Sequence, residues 1–380
     1  MKMKIFITII LFTVSYHLCY AQQARIKFIV ITSDIGKQGD VYITGNSAKL
    51  GNWDASSVPL NKINDSTWSK VFEFKDSTTI QYKYTRGTWQ SEALTSDGKI
   101  PSNYKLKVTK DTVVIVNISK WGKGLFNKKQ IGKITGTVEY FRKLTGKGIK
   151  PRDIIVWLPP SYKEDKAKRY PVLYMEDGQN IFDPKTSSFG VDWQLDEAAD
   201  SLIKAKAIKE IIIVGIYNTT DRGKEYLDTK IGHDYMKFIV YKLKPFIDKR
   251  FRTLPDRLNT ATGGSSAGGL ISFMLLWEYP NVFSQAACLS PAFDIDNINF
   301  VKNVKEYDGK KKPIRIYIDV GTKDLDSLLR PGADEMVNVL ESKGYKAGRD
   351  LEYFIAKGAT HNEEAWSKRN WRYLEFMFGK

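Results

Sequence analysis

Histidine and cysteine are scarce in this chain. Its 380 residues include three histidines and two cysteines. This scarcity excludes a His-rich metal tract, and no Cys/His spacing typical of a zinc site is present. Cys288 lies in the apolar run QAACLS, which is typical of a buried and inert thiol.

Long hydrophobic runs are also absent, with one exception at the N-terminus. Lys2 and Lys4 precede the run IFITIILFTV, and Cys19-Tyr20-Ala21 offers small residues at both cleavage-recognition positions. We interpret residues 1–21 as a signal peptide, which predicts a periplasmic or secreted protein. A transmembrane anchor is the weaker interpretation, because the run is too short and no stop-transfer charges follow it. Cleavage would leave Cys288 alone, so no internal disulfide is expected.

Acidic residues are outnumbered by basic ones, and the formal net charge is +16. Such a charge can attract nucleic acid, anionic lipid or an acidic polysaccharide. The lysines are scattered, however, and the densest runs, Lys128-Lys129 and Lys310–Lys312, are short. We therefore favour a solvated basic surface over a dedicated polyanion site, and we expect no nucleic-acid partner.

The pattern of the chain predicts two domains. Residues 22–120 contain short alternating runs such as ARIKFIVIT, WSKVFEF and TIQYKYT, separated by turn residues, which predict an all-β sandwich or small barrel. Residues 121–133 are rich in glycine and lysine and are typical of a linker. Residues 134–380 alternate apolar strand-like runs with longer helical patterns, which predicts an α/β domain with a mostly parallel sheet covered on both faces.

A glycine-rich corner in the second domain carries a candidate nucleophile. The segment Gly264-Ser265-Ser266-Ala267-Gly268 fits G-x-S-x-G between a predicted strand and a predicted helix, as in a nucleophile elbow. Placing Ser265 at the centre would require glycine at position 267, so the pattern selects Ser266. Without a base, the same pentapeptide fits a strand–helix turn that has no chemistry.

A serine nucleophile needs a base and an acid. In α/β-hydrolases the order along the chain is Ser, acid, His, and the histidine follows the last strand. Only His361 satisfies this order. The acid is expected after the penultimate strand, in IRIYIDVGTKDLD, where we favour Asp324, then Asp326, then Asp319.

An oxyanion hole needs two backbone donors. One is expected to be the amide of Ala267, at the start of the helix. The other is expected in the loop after YPVLYMEDGQN, where Gly178 lets the backbone turn inward and Gln179 or Asn180 offers an N–H.

Residues 134–380 resemble the Putative esterase family of α/β-hydrolases, which includes esterase D, feruloyl and acetyl-xylan esterases, enterochelin esterases and the mycolyltransferases. The resemblance is carried by YPVLYMEDGQNIFD, GIYNTTDRGKEY, GGSSAGGLISF, VGTKD and GATHNEEAW. It implies Ser266 as nucleophile, Asp324 as acid and His361 as base. It also implies that Arg222, Glu225 and Tyr226 line or support the pocket, with a structural ion pair as the alternative. Family members often carry His or Leu before the Asp-Gly of the oxyanion loop, where this chain has Glu176, and an extra carboxylate there is a further pocket candidate that could alter substrate preference.

The N-terminal part resembles a starch-binding domain, on VYITGNSAKLGNWD, STWSKVFEF and IQYKYTRGTWQSE. Such modules stack flat aromatic faces on sugar rings. The resemblance implies a sugar site of Trp53, Lys83 and Trp89, and a structural role for Trp68. It weakens beyond Trp89, and the alternative is that these tryptophans belong to the core of the sandwich.

Together these patterns predict an exported serine carboxylesterase that cleaves acyl esters on or near carbohydrate. The β domain would bind glucan or another polysaccharide and raise the local concentration of substrate. No metal or organic cofactor is implied. Three alternatives stay open: an acyltransferase with the same triad, a siderophore-ester hydrolase, and a carbohydrate-binding protein whose hydrolase domain is inactive.

Overall fold

The computed structural model describes residues 23–32, 40–53, 55–87, 91–98, 100–122, 134–188 and 190–380. The predicted signal peptide, most of the predicted linker and Trp89 lie outside these residues. In the described part of the chain, no helix combines the length and apolar character needed to cross a bilayer.

The N-terminal domain is all β. Its strands are β1 (Gln23–Ile31), β2 (Tyr42–Gly45), β3 (Asn61–Asn64), β4 (Thr67–Lys75), β5 (Thr79–Thr85), β6 (Ala93–Leu94), β7 (Tyr104–Lys107), β8 (Thr112–Asn117) and β9 (Lys120–Trp121). They form a four-stranded sheet in the order β3-β4-β1-β8, a three-stranded sheet in the order β2-β5-β7, and the short pair β6-β9.

The core of this domain follows from the alternation in its strands. In β1 every second side chain is buried, and Ile26, Phe28 and Val30 point inward. Trp68 is fully buried, in agreement with the structural role predicted for it. Trp121 is also buried in this core, so the domain extends one residue beyond the predicted boundary at residue 120.

The C-terminal domain alternates strands and helices. Its strands are β10 (Thr137–Gly146), β11 (Ile149–Leu158), β12 (Val172–Glu176), β13 (Ile212–Ile216), β14 (Thr260–Ser265), β15 (Gln285–Leu289), β16 (Asp294–Ile295), β17 (Ile298–Asn299), β18 (Arg315–Gly321) and β19 (Leu351–Ala356). Its helices are α1 (Leu195–Lys204), α2 (Arg222–Glu225), α3 (Lys230–Phe238), α4 (Lys244–Arg250), α5 (Ala267–Glu278), α6 (Val301–Glu306), α7 (Leu325–Ser342), α8 (Glu363–Ser367) and α9 (Asn370–Phe378).

Eight strands form one mixed sheet in the order β10-β11-β13-β12-β14-β15-β18-β19. The first two pairings are antiparallel, and the others are parallel. Helices α3 to α7 cover one face of the sheet, and α1, α8 and α9 cover the other. The predicted α/β-hydrolase fold behind an all-β domain is therefore confirmed.

The parallel pairings bring the carboxyl ends of β12, β14, β15, β18 and β19 to one edge of the sheet. The loops that follow these strands contain the predicted nucleophile, acid, base and oxyanion donors. In open α/β sheets this edge is where ligands bind.

Candidate active site

Ser266 occupies a strained turn between β14 and α5. Its φ and ψ are 58° and −125°, a conformation that non-glycine residues rarely adopt. The turn is held by two backbone hydrogen bonds: the Ser266 N–H donates to Leu289 O at 2.9 Å, and the Ala292 N–H donates to Ser266 O at 3.0 Å. Backbone strain that the surrounding structure maintains is common at functional sites.

The glycines around Ser266 are required by close approach of the backbone. A Cβ on Gly264 would lie 2.7 Å from the carbonyl carbon of Gly268, and also 2.9 Å from Glu176 Cβ. A Cβ on Gly268 would lie 3.3 Å from Asp177 Oδ2. The start of α5 therefore packs directly on the end of β14 and on the loop after β12.

His361 lies on the loop after β19. Its Nδ1 is 2.6 Å from Asp326 Oδ1, and its side chain is 13% exposed. The edge of the ring also contacts the Trp366 ring, with centroids 4.9 Å apart. Because Nδ1 faces a carboxylate, Nε2 is the remaining ring nitrogen, which is the one that accepts the serine proton in Ser-His-Asp triads.

The carboxylate that contacts His361 is Asp326, not the favoured Asp324. Asp324 is exposed, and its Oδ1 accepts a hydrogen bond from the Ser102 hydroxyl at 3.0 Å. Asp324 has φ 53° just before α7, whereas Asp326 lies in the first turn of that helix. The reversal of the chain at Asp324 turns the Asp326 side chain back over the end of β18.

Asp326 is fully buried and held by donors other than the histidine. The Gly321 N–H and the Ser290 hydroxyl both donate to its Oδ2, at 2.6 Å and 2.9 Å. Burial alone would raise the pKa of this carboxyl. The hydrogen bond and charge of His361, together with the Ser290 and Gly321 donors, instead lower the pKa below its usual value. Asp326 therefore stays ionised beside His361 at neutral pH.

Asp319, the third candidate acid, has a structural environment. It lies inside β18, is fully buried, and accepts two hydrogen bonds from the Arg369 guanidinium at 2.9 Å and 3.0 Å. Arg369 lies within 3.4 Å of the Ser290 hydroxyl, to which Trp366 Nε1 also donates at 3.1 Å. The ion pair therefore supports the groups around Asp326 without contacting His361.

The predicted oxyanion donors lie at the same edge of the sheet as Ser266. Gly178 and Gln179 form a short 3₁₀ turn after β12, and Ala267 is the first residue of α5. A Cβ on Gly178 would lie 2.3 Å from the Gly215 carbonyl carbon, so the backbone can pass there only as glycine. The first N–H groups of a helix have no intrahelical acceptor, which leaves the Ala267 amide available to an anion.

Arg222 holds the loop that contains these donors. Its Nε and Nη2 donate to the two carboxylate oxygens of Asp177 at 2.8 Å and 2.7 Å, and Asn218 also donates to Asp177 at 2.6 Å. The Arg222 side chain is 32% exposed. Because Asp177 lies against the start of α5, the positive charge of Arg222 partly offsets a carboxylate charge that would repel an oxyanion.

The other three pocket candidates are buried in a polar network beneath the loop. Glu225 pairs with Arg152, and both side chains are fully buried. The Tyr226 hydroxyl accepts from the Asp177 N–H at 3.2 Å. Glu176 is fully buried and accepts from the Tyr235 hydroxyl. These side chains support the loop from below, and for Glu225 the structure favours the structural ion-pair alternative.

Glu363 is a buried carboxyl near the candidate site, and it was not predicted from the sequence. It lies two residues after His361, is 5% exposed, and accepts from Asn180 Nδ2 at 3.3 Å. Burial, with the charge of Asp177 and of Glu92 in the β domain, raises the pKa of Glu363 to about 8. Its position after the histidine in THNEEAW was the available signal, but the sequence did not indicate that it is buried.

The β domain contacts this edge of the esterase domain. Ser102 bonds Asp324, and Asn46 Nδ2 donates to Asp296 Oδ2 at 3.4 Å. Of the predicted sugar site, Trp53 is half-buried at the end of a 3₁₀ turn. The Lys83 ammonium lies 2.9 Å from Glu92, and its side chain is only 13% exposed. Lys83 is therefore largely withdrawn from solvent.

Comparisons with known proteins agree with this architecture. The Putative esterase family model matches residues 149–369, and the Starch binding domain model matches residues 23–114. An endo-1,4-beta-xylanase/feruloyl esterase from Xylanibacter ruminicola is 28% identical over 236 residues, which are 61% of this chain and 29% of that protein.

Two solved structures share the fold. A ferulic acid esterase matches with a TM-score of 0.54 and 22% identity, over 65% of this chain and 98% of that one. The enterobactin esterase of Shigella flexneri matches with a TM-score of 0.53 and 11% identity, over 96% of this chain and 95% of that one. Since the family model covers more than half of its length, this chain belongs to the Putative esterase family and is a carboxylic ester hydrolase with an N-terminal starch-binding-like domain.

Proposed function

We propose that this protein is an exported serine carboxylesterase that hydrolyses acyl esters attached to carbohydrate. Ser266 is the nucleophile, His361 the general base and Asp326 the acid that orients the histidine. The observation that carries the proposal is the 2.6 Å contact between His361 Nδ1 and the buried Asp326, at the same edge of the sheet as the strained Ser266 turn.

In this mechanism Ser266 Oγ attacks the carbonyl carbon of the ester while His361 Nε2 takes the serine proton. The negative charge that develops on the carbonyl oxygen is stabilised by the amide of Ala267 and by an amide of Gly178 or Gln179. His361 then gives the proton to the leaving alcohol. Water, activated by the same histidine, hydrolyses the acyl-enzyme and regenerates Ser266.

Asp326 contributes by fixing one tautomer of His361. Because its Oδ1 accepts from Nδ1, the proton of the neutral ring stays on Nδ1 and Nε2 is free to act as a base. The same ionised carboxylate stabilises the imidazolium that forms after proton transfer. Ser290 and Gly321 keep the carboxylate in this orientation.

The proposed substrate class rests on the β domain and on relatives. The domain matches a starch-binding model, and two relatives are named for action on feruloyl esters. An aromatic ester of the feruloyl type on a polysaccharide is consistent with both observations. Export, which the predicted signal peptide supports, would place the enzyme where such polymers occur.

The test is an esterase panel of p-nitrophenyl acetate, methyl ferulate and a feruloylated oligosaccharide, run on the wild type, Ser266→Ala and Ser265→Ala. Loss of a triad serine lowers kcat by roughly 10⁶-fold in a comparable hydrolase, and we expect a loss of several orders of magnitude for Ser266→Ala. Ser265→Ala is the matched control, because Ser265 is the buried last residue of β14. Equal activity of the wild type and Ser266→Ala would refute the proposal.

A second candidate is a hydrolase of catecholate siderophore esters. It is favoured by the match to the enterobactin esterase, which covers both domains of this chain, whereas the ferulic acid esterase covers about two thirds. Adding a linear catechoyl-serine ester to the panel separates the two. Higher kcat/KM on that ester than on feruloylated oligosaccharide would favour the second candidate.

A further inference from the structure

Three carboxylates converge at the start of α1, away from the proposed triad. One oxygen from each of Asp192, Asp196 and Glu197 lies within 4.8 Å of the others. Asp192 is 6% exposed, Asp196 is fully buried, and Glu197 is exposed. The cluster is therefore half enclosed, with one member at the surface.

Nothing in the described residues neutralises this charge. No lysine or arginine of that part of the chain forms an ion pair with the three carboxylates, and the nearest pair on the same helix joins Asp200 to Lys204. Three ionised carboxylates this close together repel one another unless a cation or protons lie between them.

The second observation is an oxygen without a partner. Asp196 Oδ2 accepts from the Thr135 N–H at 2.6 Å, but Asp196 Oδ1 is buried and has no hydrogen-bond partner among the described residues. An Asx turn before the helix explains Asp192, whose Oδ2 accepts from the Gln194 N–H at 3.1 Å. It does not explain a buried Asp196 oxygen beside a second carboxylate, because buried polar atoms are normally paired.

We propose that Asp192, Asp196 and Glu197 form a binding site for a hard divalent cation, and that the donor set selects calcium. Calcium takes about six to eight oxygen ligands in flexible geometry, and protein carboxylates are common among them. Magnesium demands near-ideal octahedral geometry and usually keeps several waters beside one or two carboxylates, so a site with three protein carboxylates suits calcium better. The cation would supply the missing partner of Asp196 Oδ1.

The proposed cation has a structural role, because residues of the cluster and their neighbours contact other parts of the domain. Trp193 follows Asp192 directly. Its carbonyl accepts from Asn370 Nδ2 at 2.5 Å, and its ring packs on Trp366 with centroids 5.4 Å apart. Trp366 in turn packs on His361. Through Thr135, the same cluster also holds the start of the esterase domain. Calcium would therefore stabilise α1 and brace the loop that contains His361.

The first experiment is thermal unfolding of the full chain in EDTA and in excess calcium chloride. A ligand at about 100 times its Kd shifts the unfolding equilibrium about 100-fold, which for a domain of this size raises Tm by on the order of 5 °C. The second probe is terbium, a calcium substitute whose luminescence is sensitised by a neighbouring indole, here Trp193. We expect saturable luminescence that calcium displaces.

Two variants remove the ligands, and one serves as the control. Asp196→Asn keeps an acceptor for the Thr135 amide, and Glu197→Gln changes an exposed residue that the fold does not need. Both are expected to abolish the calcium-dependent Tm rise and the terbium signal. Asp200→Asn, one turn further along α1, removes the same charge and is expected to retain both responses.

Other outcomes would overturn the proposal. A wild-type Tm that is the same in EDTA and in calcium would show that the cluster holds protons only. A terbium signal that persists in both Asp196→Asn and Glu197→Gln would show binding elsewhere. A magnesium-induced Tm rise equal to that of calcium would overturn the choice of cation. None of these results depends on esterase activity.

Discussion

Asp324 and Asp326 are two residues apart, but their carboxylates have different partners. Asp326 contacts His361, whereas Asp324 contacts Ser102. In Asp326→Asn, the amide oxygen still accepts from Ser290 and Gly321, which donate to Oδ2 in the wild type. The amide nitrogen then faces His361 Nδ1, where Oδ1 now lies at 2.6 Å. An N–H donor at that position favours the tautomer with the proton on Nε2, and this tautomer cannot accept the Ser266 proton.

The expected loss is large because it removes the base. The corresponding change in other Ser-His-Asp hydrolases lowers kcat by about 10⁴-fold, or roughly 5 kcal/mol of transition-state stabilisation. Asp324→Asn is expected to keep wild-type kcat, since the Asp324 side chain is exposed and its carboxylate accepts from Ser102, not from His361. The assay is kcat on p-nitrophenyl acetate for both variants, with circular dichroism melts to confirm folding. A loss in Asp324→Asn as large as that in Asp326→Asn would refute the assignment.

Two further predictions concern groups beneath Ser266. Burial raises the pKa of Glu176 from 4.5 to about 8 in the folded state. Between pH 4.5 and pH 8 the folded protein therefore keeps a proton that the unfolded chain releases. The free energy of unfolding should fall as pH rises through this range, by at most about 5 kcal/mol. Glu176→Gln should remove this slope in urea melts at pH 5 and pH 8, and identical slopes in variant and wild type would contradict it. Gly264→Ala places a Cβ 2.7 Å from the Gly268 carbonyl carbon. It should therefore lower the free energy of unfolding by about 1–3 kcal/mol and also lower kcat. Unchanged melts and an unchanged kcat would show that the backbone at this turn can accommodate a Cβ.

Local chemistry explains why Ser266 and His361 could be selected from the sequence as candidates for nucleophile and base. Backbone segments approach closely around Ser266, so a chain that makes this turn needs glycine at the contact positions. His361 was selected by the order of strands along the chain. Neither inference needed the orientation of a side chain in space.

The carboxylate that contacts His361 could not be selected in the same way, because the choice between Asp324 and Asp326 depends on one backbone reversal. Asp324 has a positive φ, which a sequence without glycine or asparagine at that point does not indicate. A similar limit applies to β10, which was not predicted as a strand. Its side chains are mostly half-buried or exposed, so they lack the alternation that identified the central strands. The buried pairing of Lys83 with Glu92 likewise depends on how the chain folds back on itself between these two residues, which the local pattern does not show.

The bond from Ser102 to Asp324 places the two domains in contact two residues away from Asp326. The bond between Asn46 and Asp296 is a second contact between the β domain and the esterase domain. With both contacts in place, a polymer held by the β domain would meet the edge of the sheet that contains Ser266 from one direction and at one spacing. Such an enzyme is expected to cleave esters at a preferred offset along a chain, in contrast to an enzyme whose binding module swings on a free tether.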